Sequence, residues 1–182
     1  MPSQASGVRP ETGTKLVCLN ERFRSPGVYE VALGTPLRTL VEDLGGGLRN
    51  GYRLRAVQIG GPLGGFLAAD DLDVPLLDAA LTARGAALGH AGLVAVDDTV
   101  PGRALLDHLW QFVASESCGG CAPCRIGTRR GAELLAAENR TVPAEFVRIL
   151  DVMAETSLCG FGRGAVRGVR GLLRVYGEET AG

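Results

Sequence analysis

The stretch "ESCGGCAPCRIG", residues 116–127, places Cys118, Cys121 and Cys124 in a C-x2-C-x2-C run. Zinc is usually bound by two separated C-x2-C pairs, whereas three thiolates on one loop match three corners of an iron–sulfur cube. Pro123 favours a tight loop that opens into a helix, whose first N–H groups can point at cluster sulfurs. The run therefore predicts a metal centre that still needs a fourth ligand.

Five cysteines in a chain without a secretory signal favour metal or redox chemistry over disulfides. Cys159, in "SLCGFG", lies at a predicted helix-to-helix turn, and the two intervening helices can bring it back to the first three. Cys18, in the apolar alternation "KLVCLN", is predicted to be a buried, inert thiol. We expect a [4Fe–4S] cluster, with zinc as the alternative, and its predicted ligands are Cys118, Cys121, Cys124 and Cys159.

The first half of the chain has the pattern of a compact α+β unit. Residues 15–33 predict two strands joined by a turn at "SPG", and residues 54–61 and 92–98 predict further strands. Between the second and third predicted strands, Thr35 is a candidate N-cap for a helix that ends at the glycines from Gly45. "GGPLGG" (60–65) lacks the Lys and Ser/Thr of a phosphate loop, so it predicts a turn that lets backbones approach closely.

The second half is predicted to be a small helical bundle packed on the first. Asp98 or Thr99 is a candidate cap for a helix that begins near Pro101. Residues 125–138, 143–156 and 164–179 have helical periodicity. The chain is thus divided into a disordered tail (1–14), an α+β domain (15–98) and a helical domain (99–182).

Composition and charge exclude several classes of function. The formal net charge is -1 and 21% of residues are charged, so nothing indicates nucleic acid as a partner. There is no apolar run long enough to cross a membrane, and the polar N-terminus lacks the hydrophobic centre of a signal peptide. We expect a cytoplasmic protein without direct membrane insertion, and the initial Met1 suggests a complete reading frame.

Other candidate sites are weak, and no catalytic residue is predicted. "GFGRGA" (160–165) fits a dinucleotide fingerprint, but a helical pattern precedes it instead of a strand, so a tight turn is predicted. His90 and His108 are too few for a catalytic triad or a multi-histidine metal site. His108 is expected at the surface, with tuning of the cluster potential as the alternative.

Side chains near the cysteines suggest how a cluster would be surrounded. Trp110 and Phe112, on the helix that enters the cysteine loop, are predicted to shield the cluster from water. The last helix carries arginines at helical spacing beside an apolar stripe. We expect these arginines to form a solvated face, with docking of an acidic partner or a raised cluster potential as the alternative. The arginines are Arg163, Arg167, Arg170 and Arg174, and the stripe is Val166, Val169, Leu173 and Tyr176.

These motifs resemble a known family. "ESCGGCAPCRIGT" with the later "SLCGFG" is similar to the C-terminal iron–sulfur region of the NADH- and flavin-binding subunit of respiratory complex I. The same region occurs in subunits of NAD-linked hydrogenases and formate dehydrogenases, and "GGPLGGFL" and "GHAGLVAVDD" resemble its linking segments. The resemblance spans about residues 15–176. It implies a β-grasp domain of the soluble-ligand-binding type (SLBB), a four-helix cluster domain, and the four cysteines named above as [4Fe–4S] ligands.

The sequence also departs from that family. Gly120 stands where the family usually has a polar side chain, and Ile126 stands where it has a glutamate. No flavin and NADH domain precedes residue 15, so NADH oxidation is not expected of this chain.

The expected function is therefore that of an electron-transfer subunit. One [4Fe–4S] cluster would relay single electrons between a flavin on a partner chain and further clusters of an NAD(P)H-linked oxidoreductase complex. By resemblance the partners are an FMN-binding NAD(P)H dehydrogenase subunit, a [2Fe–2S] thioredoxin-like subunit and other iron–sulfur, hydrogenase or formate dehydrogenase subunits. Through such a complex the chain could lie at the membrane periphery. The alternatives are a ligand-binding or redox-sensing β-grasp module with a structural metal site, and a zinc-stabilised assembly protein.

Overall fold

The N-terminal half is a five-stranded mixed sheet. The structure, a computed structural model, describes residues 11–137 and 142–180, so most of the predicted disordered tail lies outside the described residues. The sheet order is β2-β1-β5-β3-β4, with β1 parallel to β5 and the other pairs antiparallel. This β-grasp arrangement confirms the predicted α+β class. The strands are β1 (Thr14–Leu19), β2 (Gly27–Ala32), β3 (Leu54–Ile59), β4 (Phe66–Ala68) and β5 (Gly92–Asp97).

One face of the sheet covers the first hydrophobic core. Val17 and Leu19 of β1 point into it, because alternate residues of a strand face opposite sides. A wide helical turn at Thr39–Leu44 and the short helix α1 (Asp78–Ala83) close this core from outside. Ordered structure reaches back into the predicted tail, since the Glu11 carboxylate accepts hydrogen bonds from backbone N–H groups at the start of α1.

The predicted cap of the first helix is wrong. The Thr35 hydroxyl donates to the carbonyl of Ala32 instead of accepting a bond from a helical N–H group, and helical structure begins at Leu37. The cause is a backbone pairing that occupies the N–H groups which a cap would bond: Leu37 N–H donates to Val74 O, and Arg38 N–H donates to Leu72 O. The apolar spacing nevertheless marked buried residues correctly, since Leu37 is fully buried.

The C-terminal half is a four-helix bundle of the predicted kind. Each helix contacts two others: α2 lies against α3 and α5, and α4 lies against α3 and α5. Within the described ranges no helix is long and apolar enough to cross a membrane. The helices are α2 (Gly102–Glu116), α3 (Ala122–Ala137), α4 (Ala144–Thr156) and α5 (Gly160–Thr180).

Helix α5 joins the two halves through a row of glycines. A Cβ added at Gly168 would lie 2.5 Å from the carbonyl oxygen of Pro62, and one added at Gly171 would lie 2.7 Å from the backbone nitrogen of Phe66. Pro62 and Phe66 lie in the segment "GGPLGGF", which contains the loop before β4 and the first residue of that strand. The predicted close approach of backbones at this segment is therefore confirmed. Phe66 packs into the core of the bundle, which makes the two halves one packed unit.

A buried carboxylate fixes the turn between the sheet and the bundle. Asp97, at the end of β5, is fully buried and pairs with the guanidinium of Arg22 at 2.9 Å. Its Oδ1 also accepts hydrogen bonds from the backbone N–H and the hydroxyl of Thr99. Thr99 is thus held in the turn, and α2 starts later, after Pro101, without a side-chain cap. The predicted capping by Asp98 or Thr99 is therefore wrong.

Candidate metal centre

The bundle brings the predicted cysteine loops to one end. Cys118 and Cys121 lie in the loop between α2 and α3, Cys124 lies in the first turn of α3, and Cys159 directly precedes α5. In a bundle of antiparallel neighbours, the end of α2, the start of α3, the end of α4 and the start of α5 meet on the same side. Gly119 allows the tight loop, because its φ of 73° lies in the left-handed region that glycine tolerates.

Contacts between the two loops show that the four thiols are close. The backbone N–H of Leu158, next to Cys159, donates to the sulfur of Cys121, as does the N–H of Cys124, and these bonds lower the pKa of the Cys121 thiol. Burial raises the pKa of Cys124, and the charges of the other three cysteines raise it further. Cys124 is buried, whereas Cys118 and Cys159 are exposed. The fold thus gathers all four predicted ligands around one exposed edge.

This donor set fits a cluster. Thiolates repel one another at close range, so four of them at one bundle end require a cationic group to hold them ionised. Among the described residues, no three His, Cys, Asp or Glu side chains are grouped closely enough to hold a single metal ion. In a cube each thiolate binds a different iron, so the sulfurs stand farther apart than around one zinc. The starts of α3 and α5 also direct backbone N–H groups and their positive dipole ends toward this edge.

Two serines that the sequence interpretation missed flank Cys124. The hydroxyl of Ser117 lies 3.3 Å from the Cys124 sulfur, at hydrogen-bond distance for sulfur. Ser157 is buried close to Gly162 in the first turn of α5. Their sequence signal is slight: Ser117 directly precedes Cys118, and Ser157 lies two residues before Cys159.

The prediction for Cys18 is wrong, because its side chain is exposed. Val17 and Leu19 occupy the buried face of β1, so Cys18 and Leu16 must point to the opposite face. That face is open at this side of the sheet, and Cys18 lies apart from the other four cysteines.

The remaining predicted sites also have definite positions. Residues 160–165 are the first turns of α5, so "GFGRGA" is neither the predicted tight turn nor part of a strand–helix unit. His108 is exposed, as expected, and the Nδ1 of His90 accepts a hydrogen bond from the N–H of Gly92. The arginines of α5 are only partly solvated: Arg170 pairs with Asp151, and Arg174 donates to the carbonyls of residues 84 and 85.

The aromatic residues of α2 pack within the bundle. Trp110 is buried against Phe146 with ring centroids 4.6 Å apart, and its Nε1–H donates to the carbonyl of Thr128. A Cβ at Gly131 would lie 2.5 Å from that same nitrogen. On α3 these contacts lie one to two helical turns beyond Cys124. The shielding of the cluster by Trp110 and the half-buried Phe112 stays a prediction.

Comparison with known proteins gives both halves a family. Residues 104–181 match the NADH-ubiquinone oxidoreductase-F iron-sulfur binding region, and residues 23–67 match the SLBB domain. The C-terminal half carries the iron-sulfur binding region of that F subunit. The two matches confirm the resemblance and the [4Fe–4S] cofactor of this region, while the four individual ligands stay a prediction.

The relatives in this family extend well beyond this chain. The F subunit of NADH-quinone oxidoreductase from Escherichia coli is 32% identical over 93% of this chain and 39% of the relative. NADP-reducing hydrogenase subunit HndC of Solidesulfovibrio fructosivorans is 35% identical over 86% of this chain and 33% of the relative. A crystal structure of an H2-reduced NAD+-reducing [NiFe]-hydrogenase matches with a TM-score of 0.76 at 31% identity, over 91% of this chain and 29% of that chain. The chain therefore spans about two fifths or less of the proteins it matches here.

Proposed function

We propose that this chain is an electron-transfer subunit that carries one [4Fe–4S] cluster. The observation that carries the proposal is the convergence of four thiols from two loops at one end of the bundle. The proposed ligands are Cys118, Cys121, Cys124 and Cys159. A cluster held by four thiolates has no iron site open to substrate, so it supplies one-electron exchange rather than bond-making chemistry.

The chain's own residues would support that exchange in three ways. Cys124 is buried beneath the site and accepts a hydrogen bond from Ser117 when ionised, which favours a negatively charged centre. The N–H of Leu158 ties the Cys159 loop to Cys121, so the two ligand loops hold each other in place. Cys118 and Cys159 remain exposed, which leaves one edge of the site open to an electron donor or acceptor.

The proposed partners are the other redox subunits of an NAD(P)H-linked complex. We propose an FMN-binding dehydrogenase subunit on one side and a [2Fe–2S] thioredoxin-like or other iron–sulfur subunit on the other. The exposed apolar surface near the site supports such contacts: Leu158 is 78% exposed, and a groove lined by Pro123, Ile126 and Val152 runs between α3 and α4. A location in the cytoplasm, at the membrane periphery through the complex, is part of the proposal.

The test is anaerobic native purification of the tagged chain, with iron, sulfide, zinc and flavin analysis of everything that co-purifies. Four iron and four sulfide per chain are expected by the stoichiometry of a [4Fe–4S] cluster, together with a flavoprotein and further iron–sulfur chains. Cys159→Ser should lose the intact cluster, whereas the matched control Cys18→Ser should retain it, because Cys18 lies on the sheet.

Each other outcome contradicts a defined part of the proposal. Zinc in place of iron would refute the cluster and favour the assembly-protein alternative. A brown chain that purifies alone and flavin-free would refute the relay subunit and favour a redox sensor. Full cluster content in Cys159→Ser would refute the ligand assignment.

A further inference from the structure

Ser157 is a buried hydroxyl without a hydrogen-bond partner. The residue is 4% exposed, and within the described part of the chain its Oγ has no donor or acceptor. The backbone of Ser157 is anchored to the bundle, because its N–H donates to the carbonyl of Met153 at the end of α4. Buried polar groups are normally paired, so an orphaned hydroxyl indicates a partner that is not a protein group.

The Ser157 hydroxyl lies near one of the proposed cluster ligands. A Cβ added at Gly162 would lie 2.3 Å from the Ser157 Oγ and 3.5 Å from the Cβ of Cys124. The hydroxyl, the glycine and the buried cysteine therefore surround one small space. A side chain at residue 162 would fill that space, which lies beside the buried side chain of Cys124, one of the proposed ligands.

We propose that Ser157 donates a hydrogen bond to an inorganic sulfide of the cluster and thereby raises the reduction potential of the cluster. This inference rests on the proposed cluster ligands. An inorganic sulfide is negatively charged, and the hydroxyl has one proton to donate, which no described protein atom accepts. Ser157 is thus a positioning and tuning residue rather than a ligand.

The direction of the effect follows from charge. Reduction adds one electron to a centre already surrounded by four thiolates, and a hydrogen bond to sulfur stabilises the more negative state. Ser117 makes a comparable contact with Cys124, but it is only half-buried, so water can replace its hydroxyl. The Ser157 hydroxyl is enclosed, where a hydrogen bond is electrostatically stronger and water cannot substitute.

The experiment compares Ser157→Ala with Ser115→Ala in the cluster-loaded chain. Ser115 is the matched control, because it is exposed and its hydroxyl bonds to Phe112 O within α2. An EPR-monitored redox titration gives the midpoint potential. Ser157→Ala should make reduction threefold to tenfold less favourable, a tenfold change being 59 mV for one electron, and Ser115→Ala should leave it unchanged.

A spectroscopic readout separates a direct hydrogen bond from a general structural effect. In proton ENDOR of the reduced cluster, one exchangeable coupling that disappears in D2O should be absent from Ser157→Ala and present in Ser115→Ala. Gly162→Ala should lose the same coupling although it retains the hydroxyl, because the added methyl group occupies the space beside it.

The outcomes distinguish this inference from the proposed function. Wild-type protein without iron and sulfide would remove the cluster and with it both proposals. Wild type and Ser157→Ala with equal cluster content, equal potentials and the same exchangeable couplings would overturn the hydrogen bond alone.

Discussion

The glycine row of α5 supports a quantitative prediction for Gly168→Ala. The added Cβ would lie 2.5 Å from Pro62 O, a backbone atom that cannot turn aside as a flexible side chain can. Overpacking of this kind costs about 1–3 kcal/mol, while alanine in place of glycine within a helix returns about 1 kcal/mol. We expect a net loss of about 0–2 kcal/mol in the free energy of unfolding.

Gly177→Ala is the matched control on the same helix. A Cβ added at Gly177 meets no atom within 4 Å, so this variant should gain up to about 1 kcal/mol from helix propensity alone. The difference between the two variants therefore isolates the contact between α5 and the "GGPLGGF" segment, and it should be about 1–3 kcal/mol.

The assay is urea unfolding of the anaerobically purified, cluster-loaded variants, followed by far-ultraviolet circular dichroism. Equal slopes with shifted midpoints would show a change in stability without a change in the surface exposed on unfolding. If Gly168→Ala proved as stable as Gly177→Ala, the helix would not approach the Pro62 backbone as closely as the structure has it, and the argument for one packed unit would fail.

Three further predictions concern single side chains. Burial opposes ionisation of Asp97, but hydrogen bonds from Thr99 outweigh burial, so the pKa of this carboxyl group is lowered. The ionised carboxylate therefore stabilises the folded chain above the ordinary carboxyl pKa of about 4. This stabilisation is lost as pH falls through the lowered pKa. Asp97→Asn should thus be about 1–3 kcal/mol less stable than wild type at pH 7, and urea unfolding at pH 3 should show a smaller difference in the free energy of unfolding. A difference that is the same at both pH values would contradict the stabilising role of the ionised carboxylate. Trp110→Phe removes the bond to Thr128 O and should lower stability by about 1–3 kcal/mol, measured by thermal unfolding, while an unchanged midpoint would show that the bond contributes nothing. Cys18 should be the one thiol that iodoacetamide modifies in the cluster-loaded chain, and mass spectrometry of peptides that found it protected would contradict its exposure.

The sequence was sufficient for features that depend on local pattern. The meeting of the Cys159 loop with the C-x2-C-x2-C run could be predicted, because the two helices between them return the chain to the same end of the bundle. Helical periodicity predicted α3 and α4 and the buried residues Val166 and Val169 of α5. These features need only the repeat of apolar residues and the chemistry of cysteine.

Features that depend on tertiary contacts could not be predicted in the same way. Thr35 has the residue type of a helix cap, but the N–H groups that it would cap already donate to the carbonyls of residues 72 and 74. Cys18 was assigned to the wrong face, because alternation alone does not say which face of a strand is covered. The enclosure of Ser157 arises only when α4, α5 and Cys124 meet, so nothing in its local sequence marks it.

The interior place of β1 in the sheet, between β2 and β5, has a consequence for synthesis on the ribosome. β1 (Thr14–Leu19) pairs with β2 on one side and with β5 (Gly92–Asp97) on the other. A two-stranded hairpin is at best marginally stable in water, so the first strands to emerge cannot form a lasting sheet until the chain has grown past β5. During that interval β1 presents an open strand edge with an apolar face, the feature that promotes pairing between chains. Nascent chains that stop short of residue 97 should therefore be the forms most dependent on chaperones.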